Sequence, residues 1–259
     1  MPDSNKLDPK HDLSEYLLRL ADNTMISGQR LCEWCGHAPA LEEEMALLNV
    51  GLDLFGQARN WYEYAAELLA DGRDADQLAF RRDERAFRNT LLVEQPNGDY
   101  AVTTAKLFLF DAWHFHTLGA LSVSRDARIA AIAAKGLKEV TYHLRRSGEW
   151  VERLCDGTEQ SRQRMLDGID DVWRFTYDLL AGDEIQQRLA AAGIAADSTA
   201  VAAAWQASVE QVFGAASLPV PPPASYCYLD GKRGLHTEHL GLLLAEMQFL
   251  QRAYPDATW

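Results

Sequence analysis

The sequence predicts an all-α protein. Apolar residues recur at helical spacing along nearly the whole chain, and the breaks fall at turn residues. No stretch alternates as a half-buried strand would, and no repeat falls at solenoid spacing.

The first helix is expected over about 12–35, where Leu13, Leu17, Leu20, Met25 and Leu31 keep near the 3.6 period. The second is expected to start at Pro39, with Glu42, Glu43 and Glu44 in its first turn. Proline at a first helical position and acids near the positive end of the dipole are start signals. Its stripe runs Leu47, Val50, Leu54, Ala58, Trp61 and Ala65, and Asp71-Gly72 closes it. A short helix is expected over about 80–93. The turn residues Pro96, Asn97 and Gly98 then break the chain, and Asp99 is placed to cap a long helix over about 100–122. Another spans about 126–155. Thr158 opens a helix of about 24 residues, Gly193 closes a shorter one, and Asp197-Ser198 opens one through Phe213. The four prolines of "LPVPPPASY" (218–226) exclude helix there. After a "GKRG" turn (231–234), a last helix runs from about His236 to Ala253.

Two long antiparallel helix pairs joined by a crossover make a ferritin-like four-helix-bundle core with additional helices. A generic α-solenoid is the alternative, and the unequal helix lengths speak against it. The expected organisation is a single domain over 1–259, with 1–11 as a flexible N-terminal extension.

Of 259 residues, 47% are hydrophobic and 24% charged, enough apolar material for one sizeable core. A net charge of −13 argues against general nucleic-acid binding and against an anionic membrane surface. No window approaches the roughly 20 apolar residues of a membrane span. The polar start "MPDSNKLDPKHDL" lacks a signal-peptide core, so a cytoplasmic protein is expected. Cys32 and Cys35 form C-E-W-C without the βαβ setting of a redox motif or the second pair of a zinc site. With Cys155 and Cys227 they read as packing or terminal thiols in a reducing compartment.

Several polar residues fall on apolar stripes: Asp53, Asp111, His114 and Glu139. A buried carboxylate needs a partner, because desolvation penalises its charge. Ion pairs and hydrogen bonds are the common solution, with Arg59, Lys106, Lys138, Arg145 and Arg146 near in sequence; a metal is the other. A carboxylate-bridged di-iron bundle needs a lone carboxylate on one helix and Glu-x-x-His on its neighbour, twice over. Here Asp111 would be a lone carboxylate. The following helix reads Glu139-Val140-Thr141-Tyr142, with tyrosine in the histidine slot and His143 one residue late, about 100° further round. In the first pair, Asp53-Leu54-Phe55-Gly56 has glycine in that slot, and the lone carboxylate falls near Asn23. Spacing alone leaves His143 open as a ligand. "HTEHL" (236–240) lacks the histidine spacing of a zinc protease and reads as a helix start or interface. The "GKRG" turn is a weak phosphate signal and reads better as a solvated turn.

Four long blocks carry a resemblance: "SGQRLCEWCGHAPALEEEMALLNVGLDLFGQARNWYEYAAEL" (27–68), "DERAFRNTLLVEQPNGDYAVTTAKLFLFDAWH" (83–114), "KEVTYHLRRSGEWVERL" (138–154) and "GKRGLHTEHLGLLLAEMQFLQR". They closely resemble the PaaC family, the C subunits of bacterial 1,2-phenylacetyl-CoA epoxidase, a multicomponent monooxygenase of aerobic phenylacetate degradation. The resemblance spans nearly the whole chain. It implies a non-catalytic structural subunit that pairs with a related A subunit, which holds the di-iron centre and the CoA thioester. It implies a reductase subunit that delivers electrons from NADPH through flavin and iron–sulfur groups, and no cofactor in this chain. Carried onto this sequence, Asn23, Asp53, Gly56, Asp111, Glu139 and Tyr142 mark a vestigial di-iron site. Asp53, Asp111 and Glu139 are then expected to be satisfied by basic or polar side chains across the core. The competing reading is a metal-binding oxygenase subunit using Asp111, His114, Glu139 and His143; a free-standing storage protein comes last. Partner contacts of the epoxidase, or a homodimer in isolation, are expected at apolar surface, with Trp34, Trp61, Trp113 and Trp150 as candidates for either core or interface.

Overall fold

Two long helix pairs form the frame. In the computed structural model, which describes residues 9–224 and 230–257, α1 (Pro9–Cys32) packs along α2 (Leu41–Leu69). Likewise α5 (Tyr100–Leu121) packs along α6 (Ala127–Asp156). The crossover between the pairs holds α3 (Ala75–Phe80) and α4 (Leu91–Glu94). Beyond them come α7 (Glu159–Trp173), α8 (Thr176–Leu180), α9 (Glu184–Ala191), α10 (Ser198–Ala215), α11 (Glu238–Met247) and α12 (Phe249–Ala253). No strand occurs among the described residues beyond one isolated bridge, Asp230 to Leu235.

Side-chain caps set the starts of several helices. Asp99 accepts from the Ala101 and Val102 N–H groups, Asp126 from Arg128 and Ile129, and Asp197 from Thr199 and Ala200. Thr158 and Ser161 form a reciprocal box at α7. The start of α2 differs from expectation: Ala40 holds the cap position with no side-chain bond, and Pro39 lies just outside the helix. The three glutamates still occupy the first turn. The expected extension 1–11 is also shortened, because α1 already begins at Pro9; residues 1–8 lie outside the described residues.

α1 is buried without a break from Tyr16 to Gly28, because α2, α4 and α9 all pack on it. A Cβ added to Gly28 would lie 2.9 Å from the Phe55 ring and 3.1 Å from the Gly51 carbonyl oxygen, so the two helices cross at close range there. Leu17, Ile26, Leu54 and Trp61 are fully buried along this helix pair; each such aliphatic contributes about 1.5–3 kcal/mol of burial.

The expected helix over 80–93 is absent. α3 lies earlier, started by a capping box between Asp74 and Gln77, and the chain then runs as a strap to α4 with one 3-10 turn at 84–86. Beyond that turn the strap's backbone bonds to α1. The Arg88 N–H donates to Asp22 Oδ2 (2.7 Å), and the Thr90 N–H and hydroxyl donate to Asn23 Oδ1 (2.9 and 2.7 Å). Asp22 also takes the Tyr62 hydroxyl (2.5 Å) and the buried Arg82 guanidinium. The other long C-terminal helices are interrupted too: α7 stops before Arg174-Phe175, and Gln248 separates α11 from α12. Gln248 Nε2 there donates to the Ala79 and Arg82 carbonyls (both 3.1 Å).

Candidate functional site

The polar seam of the bundle lies where α2 and α5 both meet α6. Asp53 Oδ2 sits 3.0 Å from His143 Nε2, and Gln57 Nε2 donates to Glu139 Oε2 at 2.8 Å, both from α2 to α6. Ser147 Oγ donates from α6 to Asp111 Oδ2 on α5 at 2.8 Å. The basic residues near in sequence bond elsewhere: Arg59 to Glu63, Lys106 to the Gln95 carbonyl and Asn97, and Arg146 to Glu43. The partners are therefore polar side chains and one histidine.

Burial divides the three carboxylates, which the stripe pattern treats alike. Asp111 is buried, whereas Glu139 is half-buried and the Asp53 side chain is 41% exposed. Burial raises Asp111 to about 6, with His143 and the Ser147 bond pulling it back. Burial pushes His114 down to about 3, so its imidazole is neutral near pH 7.

Both histidine slots lie off the polar seam. Gly56 and Tyr142 face outward; Tyr142 is 44% exposed. One residue on, about 100° round each helix, Gln57 and His143 are the buried ones. Asn23 is buried but is spent on Thr90 and on the Arg19 carbonyl (2.8 Å). His116 turns to α10, with Nε2 2.8 Å from Ser208 Oγ.

These residues do not fit a di-iron centre. Among the described residues, no three His, Cys, Asp or Glu side chains converge so as to hold a metal. Asp53 is engaged by His143, and Glu139 by Gln57. Buried atoms without a protein partner do remain along the seam: Asp111 Oδ1, His114 Nδ1, His143 Nδ1 and Gln57 Oε1. They leave the core polar without assembling the bridging carboxylates that hard iron sites require.

A second polar cluster gathers the "HTEHL" and "GKRG" stretches around Glu94, a partner their spacing does not mark. Buried Glu94 on α4 accepts from the Thr237 N–H and hydroxyl (both 2.7 Å), from Asn89 Nδ2 (2.8 Å) and from His236 Nδ1 (2.8 Å). His236 Nε2 faces the Phe87 carbonyl at 3.1 Å. Both ring nitrogens meet acceptors, so the imidazolium form fits, and the Glu94 bond and charge raise His236 against the opposing effect of burial. The "GKRG" turn is part of this clasp. A Cβ on Gly231 would fall 2.0 Å from the Asn89 oxygen, and one on Gly234 2.3 Å from the Arg85 oxygen. Lys232 is buried and donates to the Ala181 carbonyl. The turn is seated against the strap rather than solvated.

Cys32, Cys35 and Cys155 are free thiols, and Cys227 lies outside the described residues. Trp34 and Trp61 belong to the core, while Trp113 and Trp150 are half-buried. Exposed apolar residues gather on one face of α2. On α2, Leu41, Met45 and Leu52 are 69%, 57% and 63% exposed, with half-buried Leu48 and Phe55 on the same face. No helix among the described residues is long and apolar enough to cross a membrane.

The whole chain has known relatives. It matches the family described as "Phenylacetic acid catabolic protein" over residues 2–259. It is 53% identical over 249 residues to the Escherichia coli (strain K12) protein named as the C subunit of 1,2-phenylacetyl-CoA epoxidase, covering 96% of this chain and 100% of that one. A match of that length and identity shows that the chain belongs to the phenylacetic acid catabolic protein family of PaaA and PaaC chains, as the four sequence blocks imply.

Proposed function

We propose that this chain is a non-catalytic structural subunit of a phenylacetyl-CoA epoxidase, which pairs with and supports a related A-type di-iron chain. The observation that carries the reading is the state of the polar seam. The carboxylates of α2 and α6 are taken up in cross-helix bonds with Gln57 and His143, and the slots that would complete a Glu-x-x-His set point outward. The exposed aliphatic face of α2 supports the pairing half of the proposal, since obligate partner surfaces are apolar at their centre.

The buried atoms of Asp111, His114 and His143 that lack partners favour a second reading, in which Asp111, Glu139, His114 and His143 hold a metal. Co-expression with the A-type chain decides between them. The expected result is a stable complex whose epoxidase activity needs both chains, with no iron retained by this chain purified alone. Stoichiometric iron on this chain, lost on Glu139→Ala, would establish the second reading.

A further inference from the structure

The outward face of α2 does not end at Leu52. It continues through Phe55 and Arg59 into a pocket of about 440 Å³ between α1, α2, α3 and the end of α11. Met25, Ala58, Tyr62 and Met247 form its apolar floor, and Phe80 and Ala75 its far side. Leu41, Met45, Leu48, Leu52, Phe55 and Arg59 recur every three or four residues, so stripe and pocket form one tract along one side of the helix.

The rim of the pocket is acidic. Asp76 on α3 and Glu246 on α11 are exposed, and neither has an ion-pair or hydrogen-bond partner among the described residues. The one cation that the described residues place at the rim, Arg59, is bonded to Glu63 (2.8 Å). An apolar concavity at one end of an apolar stripe, edged by two unspent carboxylates, suits a protruding hydrophobic side chain with a cation beside it. Such filled pockets are where binding energy concentrates in interfaces, and edge charges set approach and register.

We infer that this pocket is the anchor point of the pairing surface: it receives one bulky apolar side chain of the A-type partner, flanked by a lysine or arginine. The inference rests on the pairing proposed above. The pocket floor is already ordered by the core, since the Tyr62 hydroxyl is fixed by Asp22; little side-chain entropy is then lost on filling it.

The test measures the dissociation constant of the full chain for the A-type chain, for wild type and three variants. Leu52→Asp puts a charge on the stripe. Ala75→Trp fills the pocket from a half-buried position on its wall. Asp76→Asn with Glu246→Gln neutralises the rim at exposed positions and removes only the first-turn charge of α3, which its thermal unfolding curve checks. With the anchor in place, Ala75→Trp weakens pairing at least tenfold with the thermal unfolding curve unchanged. The rim variant weakens pairing severalfold at low salt and flattens its salt dependence. If Leu52→Asp abolishes pairing while the pocket and rim variants bind as wild type does, the anchor is refuted and the pairing stands. If wild type does not bind the A-type chain at all, the pairing itself is refuted. If the chain alone self-associates and Ala75→Trp abolishes that, the occupant is a second copy and the anchor is again refuted.

Discussion

Asp111 keeps a carboxylate in a place that penalises its charge. One oxygen takes the Ser147 hydroxyl, the other has no partner, and burial raises its pKa from 3.8 to about 6. The folded protein therefore holds this proton more tightly than the unfolded chain does. The group's contribution to stability falls as pH rises from about 4 to about 6. Asp111→Asn keeps an oxygen for Ser147 and removes the charge. It should stabilise the fold by about 1–3 kcal/mol at neutral pH, with the gain vanishing near pH 4, as read by urea unfolding at a series of pH values. A variant less stable than wild type at pH 7 would mean the charged form is paired after all. Chain pattern marks Asp111 as a core carboxylate, but it does not mark Gln57 or Ser147 as bonding partners along the seam. A glutamine and a serine on helices carry no signal until the helices are placed side by side.

At the scale of elements, the clasp of α4, the strap and α11 is held by Glu94 and His236. His236 has its pKa raised, so its contribution is fully present below the unfolded value of about 6.5 and is lost as pH climbs through the raised folded value. His236→Ala should cost about 3–5 kcal/mol at pH 6, and the gap from wild type should narrow in alkaline buffer. A gap that widened with pH would show that the ring is neutral in the fold. Gly231→Ala tests the same clasp by packing. Its Cβ would meet the Asn89 oxygen at 2.0 Å, so a loss of about 1–3 kcal/mol or more is expected from overpacking; wild-type stability would mean that the turn can lift off the strap. The long helices are legible in the chain because each shows a period and a stop, and most show a cap, as Asp99 does before α5. The strap is not, because its conformation is set by Asp22 and Asn23, more than sixty residues earlier. Likewise the break at Gln248 reflects carbonyls of the strap region that no local pattern displays.

For the whole molecule, the family resemblance and the residue pattern point the same way by separate routes. The helix pairing expected of a ferritin-like bundle is present in α1 with α2 and α5 with α6. The inward positions lie one residue beyond the slots that spacing marks: Gly56 and Tyr142 face outward, and Gln57 and His143 point in. A spacing of three or four satisfies the same helical face, so only neighbouring helices decide which residue points in. The exposed apolar surface also belongs to another residue class than the tryptophans, since Trp34 and Trp61 are core and the stripe on α2 is leucine and methionine. Leu52→Asp should leave the isolated chain folded, because the side chain is 63% exposed, and should weaken pairing with the A-type chain at least a hundredfold in a sedimentation or titration experiment. The central claim, that this chain holds no working iron, is tested most directly by the iron content of the purified complex. Wild type and a Glu139→Gln, His143→Gln double variant are compared. Equal iron per complex in both is the predicted result; a loss of iron in the variant would contradict it.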